Sequence, residues 1–80
     1  MEVLLNRVYK HFKGDFYITE GFAIDSENGA KLVIYRSLYG NGTLFARPYD
    51  NFIEIVDRQK YPNVKQEYRF ELQNIKSNRK

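Results

Sequence analysis

The sequence predicts an all-β fold: five or six short antiparallel strands with one short helical turn. Three observations carry that expectation. Short stretches alternate apolar and polar residues with period 2, glycine-bearing tight turns separate them, and no stretch holds a helical period beyond two turns.

The elements follow in chain order. Val8, Lys10 and Phe12 alternate with Tyr9 and His11, which reads as a strand. Lys13-Gly14-Asp15 turns the chain into a second strand from Phe16 to Glu20, so the two form a hairpin. Gly21 interrupts that strand before Phe22-Ala23-Ile24 resumes it. A glycine there marks a bulge or bend that lets one strand serve two halves of a curled sheet. Asp25 to Gly29 is a turn in which Asn28-Gly29 supplies positive φ. Lys31 to Tyr39 is apolar on both faces over Leu32 to Tyr35 and reads as a central strand. Gly40-Asn41-Gly42 returns the chain into Thr43 to Arg47, a strand that must stop at Pro48 because proline cannot donate to a ladder. Pro48-Tyr49-Asp50-Asn51 reads as one helical turn. Phe52 to Val56 is expected as a strand, Asp57 to Lys65 as a charged loop containing Pro62, and Gln66 to Leu72 as an alternating strand with Tyr68, Phe70 and Leu72 on its packed face. A helical turn just before a late strand is how SH3-like barrels enter their last strand, so the expected architecture is a small antiparallel SH3-like barrel. Residues 1–6 read as a lead-in, 7–74 as the single barrel domain and 75–80 as a disordered basic tail.

Composition narrows the chemistry. Eighty residues leave room for one domain, and the aromatic share of 16% (seven Tyr and six Phe, no Trp) must supply most of a small core. With no Cys there is neither a disulfide nor a thiolate metal ligand. No apolar run approaches the ~20 residues that cross a bilayer as a helix. The start lacks the basic and apolar regions of a signal peptide, which makes the cytoplasm the expected compartment and reads Asn41-Gly42-Thr43 as a turn, not a glycosylation site. The formal net charge is +3. Lys76, Arg79 and Lys80 account for it, since the remaining chain holds ten basic residues against ten acidic ones. A neutral body lacks the field that collects phosphate, although a basic tail can add a weak, salt-sensitive contact.

Tyr9-Lys10-His11-Phe12-Lys13-Gly14, followed by Asp15 and Tyr17, matches a pattern written Y-[RK]-H-[FY]-K-G-[ND]-x-Y. Gly21-Phe22-Ala23 matches its G-x-A, Val33 to Gly40 its V-x-Y-R-x-L-Y-G, and Arg47-Pro48 with Phe52 its closing elements. Arg69-Phe70 fits a terminal R-F loosely, with Tyr68 where a proline is usual. On these motifs the chain resembles, over residues 7 to 72, a family of small bacterial and phage proteins known as a domain of unknown function. The resemblance implies a compact β domain, often encoded alone, and brings no catalytic residues with it.

The side chains themselves point to binding more than to catalysis. His11 is the only histidine and has no nucleophile motif beside it, so a packed, hydrogen-bonded role is expected. Asp25 with Glu27, and Asp50 with Glu54, flank turns and fall short of a metal-ligand set; neither a metal nor a cofactor is expected. Gly40-Asn41-Gly42 precedes a strand, whereas phosphate-binding loops precede helices. The candidate binding set is Tyr35, Arg36, Tyr39, Phe45, Arg47 and Tyr49, brought together if their strands pair around that turn. Tyr with Arg is the composition of protein-binding hot spots and equally of single-stranded nucleic-acid platforms. It also fits a purely structural role, with Arg36 and Arg47 paired to Glu20, Asp50 or Glu54. The expectation is a non-catalytic module for a protein or peptide partner, with single-stranded nucleic acid as the alternative, no membrane, and a monomer or weak homo-oligomer.

Overall fold

In a computed structural model the chain is described for residues 1–75. The expected tail lies outside the described residues except for Ile75, which is exposed. Five strands, β1 (Val8–His11), β2 (Phe16–Ile24), β3 (Lys31–Ser37), β4 (Leu44–Pro48) and β5 (Phe70–Leu72), and one helical turn, α1 (Tyr49–Phe52), follow one another with α1 between β4 and β5. They build one antiparallel sheet in the order β4-β3-β2-β1-β5. The fold is therefore all-β.

The long strand β2 carries the bend expected at Gly21. Its pairing with β3 shifts between Thr19 and Gly21, leaving Glu20 as the extra residue. The β2–β3 turn differs from the expected type. Only Gly29 takes positive φ (74°); Asn28 does not, and its Oδ1 accepts instead from the amide of Ala30. The carboxylate of Asp25 likewise accepts from the amide of Glu27, so side-chain oxygens hold this wider turn.

The sheet is not closed. Among the described residues β4 pairs with β3 alone, and side chains join the gap between β4 and β5 where a closed barrel would have a ladder. The reason lies in the segment between them. Pro48 removes an amide donor and starts α1, and α1 then drives Phe52 into the space a ladder would close. The expected strand from Phe52 to Val56 does not form. Phe52 ends α1, fully buried, and only an isolated bridge, Ile55 with Tyr68, follows it. The expected strand from Gln66 shortens to β5 for the same reason: its early residues meet that irregular segment, with the Arg69 amide donating to the Glu54 carbonyl.

The core is small and aromatic. Val3, Tyr9, Val33, Tyr35, Phe52 and Phe70 form its buried cluster. Phe52 and Phe70 stack face to face at 4.1 Å, and Tyr9 meets Phe52 edge-on at 5.4 Å. Residues 1–6 belong to this packing, beyond the role of a lead-in. Val3 is 4% exposed, and its amide donates to the Tyr49 hydroxyl at 3.1 Å. The Leu4 amide donates to the Tyr9 hydroxyl, while buried Thr19 donates its hydroxyl to the Leu4 carbonyl at 2.6 Å. This strap satisfies the polar ends of buried rings that would otherwise lose their water without compensation.

Candidate functional site

Strand register decides which candidate residues meet. β3 and β4 place Tyr35 opposite Phe45 and Val33 opposite Arg47, and β2 places Tyr17 opposite Ser37. By alternation, Tyr17, Tyr35, Phe45 and Arg47 share one face of the sheet. Tyr17 stands at the centre of their rings. It meets Tyr35 edge-on at 5.4 Å, Tyr39 at 5.6 Å, Phe70 at 5.7 Å and Phe45 at 6.1 Å. Phe45 stacks on Tyr35 at 5.5 Å. The hydroxyls of Tyr17 and Tyr39 share a hydrogen bond of 3.0 Å. Burial first, and that bond second, push the Tyr17 hydroxyl above the usual tyrosine range, so it stays protonated.

The six candidates separate on this frame. Tyr39 and Phe45 are open to solvent, 46% and 37% exposed. Tyr35 is a core residue at 3% exposure and cannot touch a partner directly; its burial corrects its place in the binding set. Arg47 lies between the two layers. Its Nε donates to the Tyr35 hydroxyl at 3.0 Å, one Nη donates to Asn51 Oδ1 at 2.6 Å, and the guanidinium sits 5.4 Å from the Phe70 ring centre. Asn51 continues the chain to Glu54, which also lies 3.7 Å from Arg69. Arg47 thus ties β4 to α1 and β5 across the open side of the sheet.

Arg36 and Tyr49 stand apart. Arg36 alternates to the opposite face from Tyr35, where it makes a two-pronged pair with Glu20, the bulged residue, and donates to the Gly42 carbonyl. That hydrogen bond holds the exposed Glu20 carboxyl below the usual range. The Tyr49 hydroxyl accepts from the Val3 amide of the N-terminal strap, and its ring joins Phe22 in flanking the Lys31 ammonium, at 4.8 and 4.3 Å.

Two residues that the sequence reading did not select belong to the surface. Tyr17 lies on β2, outside the β3–β4 hairpin that the sequence pattern joins, and pairing of β2 with β3 brings it to the centre. His11 borders the rings, edge-on to Phe70 at 5.0 Å and stacked on Phe12 at 4.5 Å. Burial, then the nearby charges of Arg47, Arg69 and Lys13, lower its pKa to about 4. It is neutral at pH 7, with Nδ1 accepting from the Lys13 amide at 3.1 Å. A packed, hydrogen-bonded histidine is what its sequence context implies. Among the described residues, no group of three or more His, Asp or Glu side chains is placed to hold a metal ion. A separate depression of about 200 Å³ lies behind Phe12, Tyr61 and Arg69.

The model of one family, described as a protein of unknown function (DUF1653), matches residues 7–72. The chain belongs to that family. No curated protein and no solved structure matches it. The DUF1653 match contains all five strands, α1 and every ring of the candidate surface, and it begins just after the strap that carries Val3.

Proposed function

We propose that this DUF1653 domain is a non-catalytic module that binds a protein or peptide through the surface formed by Tyr17, Tyr39 and Phe45 around Arg47. One observation carries the reading: Tyr39 and Phe45 remain open to solvent while their rings rest on buried Tyr35 through Tyr17. Rings held this way bury area on contact with little loss of side-chain freedom, which is what an interaction hot spot requires. An SH3-like reading of the architecture supports it. The strand order β4-β3-β2-β1-β5, the bent β2 and the helical turn before β5 agree with such a fold, although its ladder is open.

The test is a displayed random-peptide library selected on the folded domain, with enriched peptides measured against Tyr39→Ala and Phe45→Ala proteins. Loss of binding by about tenfold or more in both, with unchanged circular dichroism, supports the reading. Peptides that bind both variants like the parent overturn it.

A second reading is single-stranded nucleic acid. The observation that favours it is the convergence of Arg47, Arg69 and Lys13 charge on His11 beside these rings. It requires that the body without its basic tail bind oligonucleotides with a steep salt dependence.

A further inference from the structure

The unpaired edge of β4 suggests what self-association of this domain would look like. The two edges of the sheet are built differently. β5 is three residues long, flanked by Arg69 and carrying Glu71, and the Ile55–Tyr68 bridge lies just ahead of it. β4 is five residues long, and among the described residues no strand covers its outer side. Its guards are Pro48 at one end and the inward-turned Arg47; it carries neither an outward charge nor a bulge. Leu44, Phe45, Ala46 and Pro48 are all exposed, and the single charge, Arg47, is turned to Tyr35 and Asn51.

Backbone alternation specifies what the edge offers. The Ser37 amide donates to the Thr43 carbonyl, which sets Thr43, Phe45 and Arg47 as the residues bonded to β3. The amides and carbonyls of Leu44 and Ala46, and the Pro48 carbonyl, therefore point away from the sheet. We propose that β4 pairs antiparallel with β4 of a second copy about a two-fold axis at Ala46. In this register the Ala46 amide donates to the carbonyl of the partner subunit's Ala46, and the reverse. The Leu44 amide donates to the carbonyl of the partner subunit's Pro48, and the reverse. Every outward amide of the strand finds an acceptor, and the amide that Pro48 lacks falls where only its carbonyl is used.

The side chains fit the same axis. On one face Leu44 lies against the partner subunit's Pro48, with the two Ala46 methyls between them. On the other, Phe45 lies opposite the partner subunit's Arg47, whose guanidinium stays with Tyr35 and Asn51 of its own chain, so no like charges stand directly opposite each other. These complementarities within Leu44-Phe45-Ala46-Arg47-Pro48 favour a second copy over an unrelated strand. Ala46 at the axis belongs to the face of β4 opposite the rings, so its substitution tests the pairing while leaving Tyr17, Tyr39 and Phe45 unchanged.

The experiment is sedimentation equilibrium across protein concentrations, with Ala46→Glu, Ala46→Lys and their equimolar mixture. The parent is expected to rise from 9.6 kDa toward twice that mass as concentration increases. Each variant alone is expected to stay monomeric because like charges meet at the axis, and the mixture is expected to recover the dimer. Amide exchange of the unmodified protein gives a readout without any variant: protection of the Ala46 and Leu44 amides should increase with concentration. A parent that stays at 9.6 kDa up to about millimolar concentration overturns the proposal, as do single variants that dimerise like the parent. Concentration-independent exchange at both amides overturns it as well.

Discussion

Two groups of aromatic side chains occupy the same face of one sheet and meet opposite fates. Tyr9 and Phe70 are sealed, with Phe52 from α1 and Val3 from the N-terminal strap packed over them. Tyr39 and Phe45 stay open, although they contact the same central rings through Tyr17 and Tyr35. The residue types are alike and so is the alternation that presents them. What differs is the cover: a helical turn and a strap lie over one group, and no described element lies over the other. In a domain this small the core and the candidate binding surface are thus one continuous aromatic layer. Which of its rings meet solvent depends on where the cover stops.

The largest expected effect comes from removing the cover's own ring. Phe52→Ala should cost about 3–5 kcal/mol, the usual range for a fully buried Phe, and urea denaturation should show a domain close to its stability limit. Deleting residues 1–6 should cost about 2–4 kcal/mol, from lost Val3 burial and the freed hydroxyls of Tyr9, Tyr49 and Thr19. A deletion that melts like the parent would show that the strap contributes nothing, even though it lies over the core. On the open side, Tyr39→Ala should change stability by less than about 1 kcal/mol, because its ring is half exposed and the Tyr17 hydroxyl it leaves can find water. If Tyr39→Ala destabilised as much as Phe52→Ala, the two regions would not differ in the way the exposures indicate.

The smallest effect is a pH dependence at the border between the two groups. The folded pKa of His11 is lowered to about 4, below the unfolded value near 6.5, so the unfolded chain binds the proton more readily. Its contribution to stability is complete above about pH 6.5 and falls away as pH drops toward 4. Exposure of the ring and solvent screening keep this contribution modest. Comparing the parent with His11→Gln at pH 7 and pH 5 isolates it from the carboxylates. The variant should lose less stability over that interval, and equal losses would remove His11 as the source.

Much of this was legible locally. Alternation around Tyr9, Tyr17 and Tyr35 marks strands because a pleated chain sends neighbours to opposite faces, and that pattern needs only a few residues to read. Gly21 marked the bend, and Pro48 marked the end of β4 and the start of α1. The short apolar run at Phe52-Ile53 was ambiguous for a physical reason. So few residues cannot separate a strand from a helical turn, and α1 was decided by the gap it fills.

For the site, the sequence placed Tyr35, Phe45 and Arg47 near one another if their strands paired around Gly40-Asn41-Gly42, and β3 and β4 do pair there. It did not determine which of those rings would face water. Tyr35 and Tyr39 have the same parity along the chain, but β3 ends at Ser37, and one is 3% exposed and the other 46%. That difference arises from contacts with α1, β5 and β2, all remote in sequence. Arg36 and Arg47 likewise read alike until the faces were set, when one met Glu20 on the outside and the other was drawn across to Tyr35 and Asn51. Local alternation chooses a side of the sheet. Only long-range packing decides whether that side is covered, because burial is a property of what lies above a residue and not of the residue itself.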